Sequence, residues 1–127
     1  MATRLPVGPF RDQTFTAGED LTQYTIVKLT AVSSVSMADA GEQCIGIVQN
    51  APSSGEQATV RTQGESFCSV DAGTAILITD FIIATTDGVG IKNVTDEAYV
   101  VGPTREAKAS GTGNIVVDVQ PQTVNVP

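Results

Sequence analysis

GIVQNAPSSGEQATV (Gly46–Val60) and GPTREAKASGTGNIV (Gly102–Val116) are the two stretches that decide the fold. They share one skeleton: Gly, four residues, Ala, two residues, Ser-Gly, four residues, Val. A Ser-Gly pair between runs of β-forming residues signals a turn, because glycine adopts positive φ without a steric cost. Each stretch is therefore predicted to be a β-hairpin, with positive φ at Gly55 and Gly111.

The similarity extends beyond these hairpins. An ungapped comparison of residues 21–60 with 77–116 gives eight identities in forty positions, among them Leu21/Leu77 and Ile26/Ile82. Two explanations remain open: duplication of one unit, or convergence of two hairpins on similar turns. Under duplication, the two units pack against each other, since each is too small to bury its own apolar face.

Short apolar runs recur about every ten residues and are separated by turn residues, which is typical of β-sandwiches and barrels. No window shows sustained helical periodicity. The chain is predicted to be all-β, a small β-barrel or sandwich built from two pseudo-repeated hairpin units with little helix. We assign residues 1–13 to an N-terminal arm and 14–121 to a single β domain with pseudo-repeats at about 21–60 and 77–116. Residues 122–127 are assigned to a C-terminal tail.

The charge balance limits the partners. Fourteen acidic residues face seven basic ones, a net charge of −7, and the bases are scattered along the sequence. Nucleic-acid binding through phosphates needs a cluster of Lys and Arg, so no nucleic-acid partner is expected. The longest apolar run, Ala75–Ala84, is too short to span a bilayer and contains Asp80, so no membrane partner is expected. With no secretory signal, we expect synthesis in a cytoplasm.

Several chemistries lack their residues. The chain has no histidine, which excludes Ser-His and Cys-His nucleophile systems and most zinc sites. The two cysteines, Cys44 and Cys68, are expected to be buried free thiols. The adjacent acids Glu19-Asp20 and Asp96-Glu97 are interpreted as solvated turns, because catalytic carboxylates need opposed positions in a cleft. We therefore expect no enzyme activity and no catalytic, cofactor-binding or metal-binding residues.

The final predicted strand does not match its counterpart. In the first copy Ala58 and Val60 would face the core, whereas in the second Ile115, Val117 and Val119 form the apolar face at the opposite parity. Either the last strand is shifted by one residue through a bulge, or both of its faces are covered. The second option implies a subunit contact along residues 115–119.

The order and spacing of the motifs resemble a family of tailed-phage capsid decoration proteins, or cement proteins, formerly described as a domain of unknown function. The resemblance covers residues 15–121, and it rests on FTAGEDLTQYTIVKL (15–29), CIGIVQNAPSSGEQATVRTQGE (44–65), AGTAILITD (72–80) and YVVGPTREAKASGTGNIVVDVQP (99–121). The chain differs from the family's pattern at Pro52 and in its proline-containing arm. None of these elements is a catalytic signature.

The resemblance implies a β-rich protein on the outer surface of an icosahedral phage head, commonly a homotrimer. Its partner would be the major capsid protein, whose subunits it would hold together after shell expansion. An alternative is a β-domain of a phage tail or fibre component, and a third reading is a small enzyme or carbohydrate-binding barrel. The expected capsid or subunit contacts are Arg4, Leu5, Val7, Phe10 and Arg11 in the arm, which is apolar and basic, and Ile115, Val117 and Val119. A frayed terminus is the competing interpretation of the arm.

Overall fold

A computed structural model describes residues 5–93 and 98–124, and it confirms the all-β prediction. These residues form eleven strands and no helix. The strands are β1 (Arg11–Ala17), β2 (Ile26–Ala31), β3 (Ser34–Met37), β4 (Gly46–Val48), β5 (Gln57–Ala72), β6 (Phe81–Ala84), β7 (Gly90–Lys92), β8 (Ala98–Val100), β9 (Gly102–Pro103), β10 (Gly111–Val119) and β11 (Gln122–Val124).

The first four strands and the first half of β5 form a closed five-stranded barrel. Its hydrogen-bonded order is β1-β3-β2-β4-β5, and β5 returns to pair antiparallel with β1. The pairing of β1 with β3 is parallel, and the other ladders are antiparallel. We call residues 11–63 the first unit.

The second half of β5 begins a similar ring, which we call the second unit (residues 64–119). Here β5 pairs with β7 and β10, β7 with β6, and β6 with β9. A single bridge between Thr104 and Val117 joins the β9 end to β10. Strand β5 is 16 residues long because it is the last strand of one unit and the first strand of the next.

The backbone hydrogen bonds of the first unit recur in the second. The amide of Tyr24 donates to Val48 at 2.9 Å, and that of Thr79 donates to Thr104 at 2.9 Å. Tyr24 and Thr79 also share an uncommon positive φ, 68° and 73°. Three more backbone hydrogen bonds of the first unit have a counterpart in the second. The bond from Leu21 to Pro52 corresponds to that from Ile76 to Lys108, Ile45 to Val27 corresponds to Val101 to Ile82, and Gln49 to Thr59 corresponds to Arg105 to Val116. The two units therefore have the same connectivity.

The offset between equivalent residues is not a constant 56. It is 55 between Tyr24 and Thr79, 56 between Gln49 and Arg105, and 57 between Thr59 and Val116, as the paired hydrogen bonds show. Leu21 is thus equivalent to Ile76, and not to the identical Leu77. Ala58 and Val60 correspond to Ile115 and Val117, which restores the parity that the ungapped comparison lost. The positive φ predicted at Gly55 and Gly111 is confirmed, at 89° and 106°.

The buried apolar side chains form two cores. One lies inside the first barrel and includes Val27, Val48 and Val60. The other and larger one contains the inward side chains of the second unit, together with Ile26 and Ile47. Because successive side chains of a strand point to opposite faces, β2 and β4 each contribute to both cores and lie between them.

The assigned arm and tail both overlap with strands. Residues 11–13, which the sequence analysis placed in the arm, pair with β5 as the start of β1. Residues 122–124, which it placed in the tail, form β11 and pair antiparallel with β8. The acidic pair Asp96-Glu97 lies outside the described residues, as do residues 1–4 and 125–127.

The repeated glycine at the start of β4 and β9 is required by close backbone approach. A Cβ on Gly46 would lie 2.1 Å from the carbonyl oxygen of Arg61, and one on Gly102 would lie 1.9 Å from that of Asp118. Neither position tolerates a side chain without movement of a neighbouring strand. The collision is with backbone, so a side-chain rotation cannot relieve it.

We therefore expect Gly46→Ala to lower the free energy of unfolding by about 2–4 kcal/mol, measured by urea denaturation. Gly73→Ala is the matched control, since a Cβ at Gly73 meets nothing within 4 Å. That control should change stability by less than about 1 kcal/mol. Equal stability of the Gly46→Ala variant and the wild type would contradict the close approach of β4 to β5.

Candidate functional site

The N-terminal segment, residues 5–10, lies across β5 at Gly64. The Val7 amide donates to Glu65 Oε1 at 3.0 Å. Gly64 has a φ of 101°, and a Cβ there would lie 2.5 Å from the carbonyl oxygen of Pro9. The absence of a side chain at Gly64 therefore makes room for the backbone of the segment, next to the point where β1 begins.

The guanidinium of Arg61 fixes the other end of the segment. It lies 3.7 Å from the centroid of the Phe10 ring, a cation–π contact. Its Nε and Nη2 donate to the carboxylate of Asp12 at 2.9 and 3.2 Å, and its Nη1 donates to the Glu65 carbonyl at 3.0 Å. A bidentate pair of this kind holds both groups in a fixed orientation. One side chain of β5 thus binds the segment, β1 and β5 together.

An open cleft of about 470 Å³ lies beside the segment, between it and residues of β5 and β10. Three of its charged side chains, Glu65, Arg105 and Asp118, contact one another, and Arg11 also lines the cleft. Arg105 Nη2 donates to Asp118 Oδ2 at 2.7 Å, and its Nε lies 3.7 Å from Glu65 Oε2. Gln120 donates to the same carboxylate oxygen of Asp118. Both carboxylates of the cleft, those of Glu65 and Asp118, therefore lie within 4 Å of the Arg105 guanidinium.

The large apolar side chains of the segment are exposed to solvent, although the Phe10 ring also contacts the Arg61 guanidinium. The exposed fractions are 75% for Leu5, 58% for Val7 and 45% for Phe10. The backbone and the neighbouring charges hold the segment in place, so these side chains form a fixed, exposed apolar ridge. Of the contacts expected in the arm, the structure brings Leu5, Val7 and Phe10 together, and Arg11 follows them at the start of β1. Arg4 lies outside the described residues.

The expected contacts on the last strand need correction. Ile115, Val117 and Val119 are at most 2% exposed and belong to the core of the second unit. Val116 on the other face is also fully buried. Its amide donates to Glu106 Oε1, and its carbonyl accepts from the Arg105 amide. Both faces of β10 are covered by the same chain. These side chains therefore have no surface to offer to another subunit.

Sequence reasoning missed the polar partners of the segment. Arg61, Glu65, Arg105 and Asp118 stand alone in the sequence, and the pair Arg61–Asp12 is separated by 49 residues. No local pattern signals such a contact. The repeat provides a partial clue, since Gly46 and Gly102 approach the carbonyls of Arg61 and Asp118 in the same way.

The two cysteines are buried free thiols, as predicted. Burial raises the pKa of Cys44 to about 11 and that of Cys68 to about 12. Both therefore stay protonated at neutral pH, and a thiol of this kind is a poor nucleophile. Among residues 5–93 and 98–124, no group of three His, Cys, Asp or Glu side chains could hold a metal ion. The same residues contain no helix that is long and apolar enough to cross a membrane.

No protein-family model matches the chain, and no curated protein matches it either. Among solved structures, it is similar to the crystal structure of the head fiber gp8.5 N base in bacteriophage phi29, with a TM-score of 0.67. The match covers 93% of this chain and 100% of that chain at 15% sequence identity. At this identity the likeness establishes a shared fold, and the decoration-protein family remains a prediction.

The docking of the segment predicts that Gly64→Ala displaces it. We expect hydrogen exchange at the Val7 amide to be at least about tenfold faster, because the new methyl group collides with Pro9 and the bond to Glu65 is lost. Gly111→Ala is the matched control: its φ of 106° carries the same backbone strain, but a Cβ there meets nothing within 4 Å. Unchanged exchange at Val7 in the Gly64→Ala variant would contradict the docking.

The raised thiol pKa values predict a pH dependence of stability. Above pH 9 the thiols of the unfolded chain ionise, while those of the folded chain keep their protons up to about pH 11. The folded state then binds more protons, so the free energy of unfolding should fall as pH rises, by at most about 1.4 kcal/mol per pH unit for each thiol. A Cys44→Ala/Cys68→Ala variant should show a shallower fall in denaturant titrations between pH 8.5 and 10.5. Equal slopes would contradict burial of the two thiols.

Proposed function

We propose that the chain is a structural protein of a tailed-phage virion, which decorates the outer surface of the icosahedral head and stabilises it by bridging major capsid protein subunits. The observation that carries the proposal is the exposed apolar ridge of Leu5, Val7 and Phe10, which is joined to β5 through the Val7 amide and the Phe10 ring. Exposed apolar groups that are fixed in place are typical of contact surfaces. The role is non-enzymatic, which agrees with the paired charges of the cleft.

Two likenesses support this assignment. The sequence resembles capsid decoration proteins over residues 15–121, and the fold is similar to the base of a phage head fibre. The net charge of −7 also disfavours an interior position next to DNA, where phosphates would repel the chain. These points favour the outer surface of the head.

The mechanism is burial of apolar surface at many equivalent sites. A ridge of three side chains gives a weak contact, because a stable complex buries roughly 800 Å² on each partner. A homotrimer would present three ridges to neighbouring coat subunits at once. Once one ridge is bound, the others bind at a high effective concentration, so the total affinity greatly exceeds that of one contact.

A second candidate is the base domain of a head fibre or a tail component. The fold similarity to the phi29 head fibre base favours it specifically. The two candidates differ in copy number, since a cement protein covers the shell and fibres are fewer. Quantitative mass spectrometry of purified particles distinguishes them. A copy number comparable to that of the major capsid protein, or a fixed fraction of it, supports decoration; a handful supports a tail role, and absence refutes both.

The ridge itself is tested by Leu5→Ser/Val7→Ser. We expect at least about tenfold weaker binding to heads that lack the protein, with an unchanged melting temperature, because both side chains are exposed in the free chain. Binding is measured by co-sedimentation with the heads. Val32→Ser removes an even more exposed apolar side chain, 99% exposed at the β2–β3 turn, and should bind like wild type. Undiminished binding of the double variant would refute a contact through the ridge.

A further inference from the structure

A second exposed apolar group lies on the turn that precedes β6. Leu77 and Ile78 are each 60% exposed. The turn is rigid: the Leu77 amide donates to Asp80 Oδ2 at 2.7 Å, and the Asp80 amide donates back to the Leu77 carbonyl at 3.1 Å. The Thr79 amide donates to Thr104 at 2.9 Å. Lys92 Nζ lies 3.6 Å from Asp80 and neutralises the carboxylate that closes the turn.

The neighbouring chain extends this group. Ile76 and Lys108 form an antiparallel bridge with two hydrogen bonds of 2.8 Å, and the Ile76 side chain is buried. Residues on either side of a bridged pair point to the opposite face. The outer face therefore carries the exposed side chains of Ala75, Leu77, Ala107 and Ala109. Together with Ile78, which is exposed on the adjoining turn, they form what we call the apolar turn surface.

The first unit builds the same turn with different chemistry. By the equivalence of Leu21 with Ile76 and Tyr24 with Thr79, the counterparts of Ala75, Leu77 and Ile78 are Asp20, Thr22 and Gln23. The hydrogen bond from Thr25 to Thr22 corresponds to that from Asp80 to Leu77. Asp20, Thr22 and Gln23 are exposed, and all three are polar. The backbone of the turn thus accepts polar side chains, so the fold does not demand the apolar ones.

We propose that the apolar turn surface is a second contact with the coat protein, seated in an apolar pocket of its outer surface. This rests on the proposed function and names a second site for it. The surface is close to the first: Thr104, which accepts the Thr79 bond, precedes Arg105, and the Arg105 side chain lines the same cleft as Val7 and Phe10. The two apolar groups are thus linked through Thr104 and Arg105, and one partner can engage both.

A second copy of this chain is the disfavoured occupant. Five small or medium side chains do not supply the roughly 800 Å² that each partner buries in a stable dimer. A homotrimer would therefore associate through a different surface of the chain. Because the chain carries a net charge of −7, the pocket that accepts Leu77 and Ile78 is expected on a surface that is not acidic.

The test replaces Leu77 and Ile78 with the residues that the first unit uses, as Leu77→Thr/Ile78→Gln. Heads that lack the protein are incubated with wild type or variant at limiting concentration, and bound copies are counted by mass spectrometry. We expect at least about tenfold weaker binding and a melting temperature within a few degrees of wild type. The control Leu29→Thr/Val32→Gln, on the β2–β3 hairpin, removes two other exposed apolar side chains and should bind normally.

The outcomes separate the two proposals. Wild-type binding with equal binding of the Leu77→Thr/Ile78→Gln variant overturns the turn surface as a contact and leaves the proposed function standing. Failure of the wild type to bind refutes the proposed function, and the inference with it. Sedimentation velocity of the free proteins identifies the other occupant: if the variant loses self-association that wild type and control retain, the surface binds a second copy and the inference is overturned.

Discussion

The structure depends on the pairing of one long strand with both units. The first half of β5 closes the barrel with β1 and β4, and its second half begins the other unit with β7 and β10. Most of its even-numbered side chains are buried: Ala58 and Val60 enter one core, and Cys68, Val70 and Ala72 enter the other. Removing β5 from either unit would leave a row of unpaired backbone groups and an open core, so the two units fold together.

The exposed ridge follows from the point where β5 passes from one core to the other. No large side chain is available at Gly64, and the backbone of the N-terminal segment occupies the space. Glu65 accepts a hydrogen bond from the backbone of the segment, and Arg61 contacts the face of the Phe10 ring. Arg61 also pairs with Asp12 at the start of β1. Since the contacts use backbone and charge, Leu5 and Val7 are left free. The glycine in β5, which admits the backbone of the segment, therefore helps to determine that Leu5 and Val7 are exposed.

The sequence predicted those features that local chemistry determines. The all-β class, the recurring hairpin, the positive φ of Gly55 and Gly111 and the buried cysteines all follow from turn residues, alternation and composition. It did not predict the offset between equivalent residues. The identity Leu21/Leu77 reflects the same side-chain type, but the backbone hydrogen bonds show that the position of Leu21 in the first unit is occupied by Ile76 in the second. The offset rises from 55 to 57 along the second unit, so that unit contains two added positions. Contacts such as Arg61–Asp12 join distant residues and have no local signal.

Comparison of the two units also supports a functional role for the apolar turn surface. Two units with the same backbone face the same demands of folding, so their cores and close glycine contacts agree, as at Gly46 and Gly102. Where the backbone agrees and the exposed chemistry differs, folding does not explain the difference. Thr22 and Gln23 show that polar side chains are sufficient at this turn. Leu77 and Ile78 at the equivalent positions instead expose apolar surface to water, which is unfavourable. A contact that buries Leu77 and Ile78 on assembly removes this apolar area from water, and the free energy of exposing it is then regained.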